Sequence, residues 1–274
     1  MSVFYHYTSI DTLYNMLTKS IEKDEETNVN YLKFRATHVT ALNDTMERKL
    51  FVDKLIKEVN RYLNNTLNDS EQSKLEHMCS VMDSYIISFS DSSLFDDLNM
   101  WRGYGKNGYG VCFEFDLSAI SVFYKTNDFY RTENVYNLIK CEYFSPNKDI
   151  ETNDFKELVR ALSEFLKSAE KNTIKEACLL KKIYEKAVIY KHEAYVAEKE
   201  WRFIINIITK PEYNLVNNVI KPYVNFKIPL EAIKSIRLGP CIKDSYEVSS
   251  LVSFIKDIFG ESFIVKYSDI PYRG

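Results

Sequence analysis

Tyr195-Val196-Ala197-Glu198-Lys199-Glu200-Trp201-Arg202, running into Phe203-Ile204-Ile205-Asn206-Ile207-Ile208, is the stretch whose reading decides the fold. Its β-branched and aromatic residues predict a strand. Alternate residues of a strand share a face, so Glu198, Glu200 and Arg202 are expected on one side and Lys199, Trp201 and Phe203 on the other. Two carboxylates and a guanidinium on one strand face need a physical reason, because burying like charges is costly unless a cation or ligand compensates. One reason is structural: Arg202 neutralises one glutamate and the other stays solvated at the strand entrance. The other reason is a site.

Working outward, Val3 to Thr8 reads as a short aromatic strand, and Thr8 or Ser9 caps a helix with Ile10, Leu13, Met16 and Leu17 at helical spacing. Tyr31 to Thr40 reads as extended. The turn-forming Leu42-Asn43-Asp44 leads into helices at about Met46–Asn64 and Ser70–Met82. Tyr85 to Ser90 is a strand with Ser88 and Ser90 on one face and Ile87 and Phe89 on the other. Met100 to Gly110 holds four of the seven glycines, which marks a tight turn or a close backbone approach. Strands follow at Val111–Phe115 and Val135–Tyr143. Residues 152–191 read as a helical, Lys-rich insertion. After the acidic strand come strands at Val224–Ile228, Ile233–Pro240 and Phe263–Tyr267, with a helix at Ser245–Phe259. No repeat or linker divides the chain, and one α+β domain is expected over 1–274.

Bulk composition excludes several classes. The 274 residues are 45% hydrophobic, enough for a packed core, and a formal net charge of -3 provides no global field toward nucleic acid or membrane. Few glycines and the absence of GxGxxG or GxxxxGK[ST] disfavour a Gly-rich phosphate loop, and no GxSxG turn suggests a serine hydrolase. No leader-like start or long apolar run is present, so a soluble, cytoplasmic protein with no membrane partner is expected. Cys79, Cys112, Cys141, Cys178 and Cys241 form no CxxC pair, and His6, His38, His77 and His192 lack metal-ligand spacing. Reduced, mostly core cysteines and no metal site are expected.

Several segments recur together as an ordered set: Phe4-Tyr5-His6-Tyr7-Thr8-Ser9, Leu42-Asn43-Asp44 with Glu47, Ile87-Ser88-Phe89-Ser90, Trp101 with Tyr104, Gly110-Val111-Cys112, Glu198-Lys199-Glu200-Trp201-Arg202, Leu238-Gly239-Pro240, and Ser268 through Arg273. The series resembles a widespread bacterial family described only as a domain of unknown function, whose members open with a His-Tyr-Thr strand and carry a late Glu-x-Glu-Trp-Arg strand. That family is in turn remotely similar to the ADP-ribosyltransferase superfamily. The resemblance implies a split antiparallel sheet flanked by helices, NAD as substrate, and transfer of ADP-ribose to a macromolecule or hydrolysis of NAD. It also implies a toxin or anti-phage defence setting, an acceptor that is protein, RNA or DNA, and a possible regulatory partner protein. It puts His6 at the ribose with Tyr7 and Thr8 among the cofactor-binding residues, Ser88 and Ser90 beside nicotinamide, and Glu200 as the catalytic carboxylate. The match is composite, since the first-strand His belongs to one branch of the superfamily and the Ser-x-Ser with Glu-x-Glu to another.

Each residue also has an ordinary reading. Cleaving the nicotinamide–ribose bond passes through an oxocarbenium-like state that a carboxylate stabilises, the role expected of Glu200. Arg202 is then its counter-ion and a cofactor-binding candidate. Glu198 either orients a nucleophile or faces solvent. His6 either bonds a ribose or phosphate oxygen, close to a helix N-terminus that attracts anions, or is a satisfied core histidine. Trp101 and Tyr104 either stack on nicotinamide or adenine, or Trp101 closes the core. Lys167, Lys171, Lys175, Lys181, Lys182, Lys186 and Lys191, interrupted by Glu170, Glu176 and Glu185, either contact a polyanion or form a solvated, ion-paired face. The non-catalytic alternative is a nucleotide- or partner-binding module of the same fold.

Overall fold

A computed structural model of the chain describes residues 3–25, 28–42, 47–80, 84–116, 118–120, 136–168, 172–205, 210–216 and 218–274. Asn43-Asp44, Met46, Met82, Val135, Glu170, Lys171 and Asn206-Ile207-Ile208, which the sequence reading used, lie outside the described residues. In chain order the strands are β1 (Val3–Thr8), β2 (Ile21–Lys23), β3 (Asn30–His38), β4 (Tyr85–Ser90), β5 (Val111–Asp116), β6 (Tyr136–Lys140), β7 (Glu142–Phe144), β8 (Tyr190–His192), β9 (Glu200–Ile205), β10 (Glu212–Val216), β11 (Val219–Pro229), β12 (Ile233–Leu238) and β13 (Ile264–Tyr267). The helices are α1 (Ile10–Lys19), α2 (Glu47–Tyr62), α3 (Asp69–Ser80), α4 (Leu98–Gly103), α5 (Asn153–Lys167), α6 (Thr173–Ile189) and α7 (Ser245–Phe259).

Eleven strands form one mostly antiparallel sheet, with β12–β13 its parallel pair. The α+β class expected from sequence is what the chain adopts. Strand β4 runs through the middle with apolar side chains on both faces. Ile87 and Phe89 join a core covered by α1 and α7, whereas Ile86 joins a second core built with α2, α3, α5 and α6. Helices α1 and α5 start where the sequence says they should: Ser9 and Thr152 accept the first free backbone N–H groups, from Thr12 and Phe155. Helix α5 presents Phe155, Leu158, Val159, Leu162 and Phe165 to the second core, as its period requires. Helices α5 and α6 of the Lys-rich segment thus pack as part of a helical layer.

The pairing of β4 positions the site. Strand β9 occupies one edge of β4 along its full length, from Tyr85↔Ile205 to Ser90↔Glu200. The other edge is divided. Strand β3 pairs only at Thr37↔Ile86 and His38↔Tyr85, and β1 only at Tyr5↔Ser90. Between them the edge of β4 at Ile87–Phe89 has no strand partner among the described residues, and the imidazole of His6 fills the place of one: its Nδ1 donates to the Ser88 carbonyl at 3.0 Å.

One sequence expectation is corrected. The chain from Glu193 to Glu198 is a 3₁₀ turn, and the strand begins only at Glu200. His192 caps that turn by accepting from the Ala194 N–H at 3.0 Å, and Lys199 leaves it in the left-handed conformation at φ 43°. The turn is needed because the chain must reverse from β8, paired in parallel with β7, to enter β9 beside β4. With only Val196 β-branched in Glu193–Glu198, the local preference for strand is weak enough to be overridden. Among the described residues, no helix is long and apolar enough to cross a membrane.

Candidate functional site

A cavity of about 290 Å³ opens at the divided edge of β4. Of the residues singled out from sequence, His6, Tyr7, Ser88, Ser90, Tyr104, Glu198, Glu200 and Arg202 line it, delivered by β1, β4, the turn after α4, and the β8–β9 segment. Thr8 and Trp101 do not. Trp101 is fully enclosed with Tyr7, Leu94, Met100 and Cys112, and its Nε1 donates to Asp96 at 2.7 Å. The indole therefore has no open face for stacking, and its core role prevails. The N-terminus of α1 does not line the cavity either.

The floor is an ion network. Arg202 grips Glu200 with two bonds, Nε to Oε1 at 2.7 Å and Nη2 to Oε2 at 3.0 Å, and its Nη1 donates to the Val188 carbonyl at 2.5 Å. Lys191 then bridges the two glutamates, donating to Glu200 Oε2 at 2.7 Å and Glu198 Oε2 at 2.6 Å. Tyr104 closes the chain by donating its hydroxyl to Glu198 Oε1 at 2.6 Å. Glu198 and Glu200 do come together as expected, but through this lysine and not through strand alternation.

Burial separates the two carboxylates. Burial alone would raise the Glu200 carboxyl, but Arg202 and Lys191 overcome it and hold the group at about 2. Glu200 is ionised and sealed, with its side chain 7% exposed; that of Glu198, at 17%, reaches the cavity. Burial, with the hydrogen bond to Glu198 second, raises the Tyr104 hydroxyl above its ordinary range. His6 is driven down by burial, only partly opposed by its bond to the Ser88 carbonyl. Since a carbonyl can only accept, Nδ1 carries the proton, and neutral His6 keeps Nε2 as an acceptor with no partner among the described residues.

Sequence reading missed three contributors. Lys191 was grouped with the Lys-rich surface, yet it is 4% exposed. The signal was the apolar run Ala187-Val188-Ile189-Tyr190 leading into it, which marks a buried segment. Tyr143, whose hydroxyl accepts from the Glu200 N–H at 2.8 Å, and Arg35, on the outward row of β3 with Lys33 and Thr37, were also passed over. The remaining described lysines of that segment follow the ion-paired reading in part: Lys167 meets Glu71 at 2.7 Å and Lys186 meets Asp154 at 3.3 Å. Among the described residues, no group of three or more His, Cys, Asp or Glu is arranged to hold a metal ion.

The remaining motifs of the ordered set brace the site from behind. Gly110 donates to the Gly105 carbonyl and accepts from the Gly239 N–H, both at 2.9 Å, and the Cys241 N–H bonds the Gly108 carbonyl at 3.0 Å. Gly108 has φ +86°, which glycine adopts without strain. Leu238-Gly239-Pro240 and the C-terminal segment thus lock the turn that follows α4, from which Tyr104 reaches Glu198.

Fold and cavity define an α+β protein with a mixed-charge cleft at a divided strand edge. A family model described as "Protein of unknown function (DUF2971)" matches residues 100–203, from α4 to the middle of β9, which includes Tyr104, Lys191, Glu198, Glu200 and Arg202. No curated protein and no solved structure matched the chain.

Proposed function

We propose that this cavity binds a ribose-bearing nucleotide and that the protein cleaves the nicotinamide–ribose bond of NAD, passing ADP-ribose to a macromolecular acceptor or to water. The observation that carries the reading is convergence. Four segments far apart in the chain bring a neutral histidine with a free acceptor, two serines, a tyrosine hydroxyl and a carboxylate pair to one small cavity. Aromatic rings of Tyr5, Tyr7, Phe34 and Tyr195 complete the wall. The volume is at the low end for small-molecule sites, which suits one ring and its sugar, with the rest of a dinucleotide outside.

The roles differ from those read in sequence. Glu200 accepts three charge-assisted bonds from Arg202 and Lys191 and is sealed from the cavity more fully than Glu198, so Glu200 positions those cations and is not the group that meets ligand. Glu198 is the carboxylate to face the developing positive charge of an oxocarbenium-like state, held by Tyr104 on one oxygen and Lys191 on the other. His6 Nε2 accepts a ribose hydroxyl. A second reading, a non-catalytic nucleotide-binding module, draws support from the same saturation of Glu200, which is what a purely structural hub would show.

The test is release of free nicotinamide from NAD, with total cell RNA and protein as acceptors, by the wild type and by Glu198→Gln. Lys191 keeps Glu200 as counter-charge in this variant, so folding should survive. Release reduced by about 100-fold or more is expected, the scale of removing one electrostatic stabiliser of a transition state. Release unaffected by the substitution excludes this role for Glu198. No release from the wild type, with NAD still binding by calorimetry, favours the non-catalytic module.

A further inference from the structure

Charge around the cavity does not cancel. The lining holds Arg35, Lys191 and Arg202 against Glu198 and Glu200. Lys191 and Arg202 are buried and spend their charge on the two glutamates, at 2.6–2.7 Å. His6 is neutral. Arg35 remains. It is exposed, has no carboxylate partner and no hydrogen bond among the described residues, and its guanidinium lies over the Tyr223 ring with Cζ 4.7 Å from the centroid. The nearby Glu212 is already engaged, Oε2 by the Tyr223 hydroxyl and Oε1 by Asn225 Nδ2, each at 2.7 Å. A guanidinium seated on an aromatic face is held in place without using its planar fork of donors, which matches a phosphate in two-point fashion.

We infer that Arg35 is the anion anchor of this cavity: it takes a phosphate of a nucleotide whose sugar and ring enter toward His6, Tyr104 and Glu198. The inference rests on the nucleotide reading above for the ring-bearing part of the ligand and adds a direction to it, phosphate at the β3 side and glycosidic end at the Glu198 side. It requires no chemistry. Arg35 selects ligand by charge, whatever the cavity then does with it.

Binding of adenosine, AMP, ADP and inorganic pyrophosphate to the wild type, Arg35→Ala and Arg35→Lys, measured by calorimetry at two salt concentrations, tests this. AMP and ADP should bind the wild type about tenfold or more tightly than adenosine, the scale of one charge-assisted contact. That preference should vanish in Arg35→Ala, shrink in Arg35→Lys, and weaken with salt, while adenosine affinity stays the same in all three proteins. An AMP preference that survives Arg35→Ala, or no preference in the wild type, overturns the inference. Pyrophosphate binding as tightly as ADP overturns its nucleotide part. Failure of the glycosidic-cleavage reading looks different: Arg35-dependent AMP binding would persist with no nicotinamide released. Arg35 lies on the exposed row of β3, and unchanged melting temperatures confirm that the variants fold.

Discussion

Glu200→Gln should destabilise the protein by about 3–5 kcal/mol, the cost of removing one partner from a buried ion pair, and lower the melting temperature by roughly 10 °C. From sequence alone this substitution looks like a mild change that spares folding, since it keeps the shape of the side chain. The structure reverses that expectation. Arg202, 2% exposed, loses the charge that balances its guanidinium, and Lys191 is left with Glu198 alone. A glutamine oxygen can accept at most two of the three hydrogen bonds now made to the carboxylate, and its NH₂ group would face a donor.

The same group fixes the sign of an acid effect. Its folded value of about 2 lies below the ordinary 4.5, so its contribution to stability is complete above pH 4.5 and is lost as pH falls through about 2. The stability gap between wild type and Glu200→Gln should therefore narrow between pH 4.5 and 2. Denaturant titrations across that range read it directly. A gap below about 1 kcal/mol at pH 7, or one that widens in acid, would remove Glu200 from the centre of the network.

Gly110→Ala is expected to be the second large effect, about 3 kcal/mol or more. A methyl group there would overlap the Thr8 carbonyl oxygen and lie 2.8 Å from the carbonyl carbon and oxygen of Gly105, all backbone atoms that cannot rotate away. Relief would require moving the end of β1 from the turn that carries Tyr104, so loss of stability and loss of ligand binding should appear together. Gly103→Ala is the control. Beyond its own helix and chain neighbours, no described residue lies within 4 Å of a methyl group at Gly103, and at the end of α4 alanine should be neutral or slightly stabilising. Equal behaviour of the two alanine variants in thermal melts would contradict the close packing described for Gly110.

What the sequence made legible follows from where local and tertiary forces agree. Tyr85–Ser90 and Ser245–Phe259 emerge with the expected bounds, because a β-branched and aromatic run marks the first and Asp244, accepting from the Tyr246 and Glu247 N–H groups, fixes the start of the second. Strand β10 is not legible in sequence, since Glu212, Tyr213, Leu215 and Val216 are exposed and, among the described residues, it pairs only with β11, leaving no alternation to read. Tyr195–Glu198 reads as strand because β propensity is judged residue by residue, whereas the turn over Glu193–Glu198 is imposed by the reversal between β8 and β9. Lys191 reads as one of the surface lysines because Lys181 and Lys182 of α6 are exposed, whereas it stands on β8, after the apolar run Ala187–Tyr190, and points inward. The divided edge of β4 depends on pairings between residues more than forty positions apart, which no local pattern encodes.

A crystal structure of the protein soaked with ADP-ribose tests the central claim most directly. The account predicts density in the β4-edge cavity, with a phosphate at Arg35 and a ribose hydroxyl within hydrogen-bond distance of His6 Nε2 or the Glu198 carboxylate. Density elsewhere, such as the apolar groove between α1 and α7 lined by Tyr14, Tyr246 and Phe254, with the β4-edge cavity left to solvent, would contradict it.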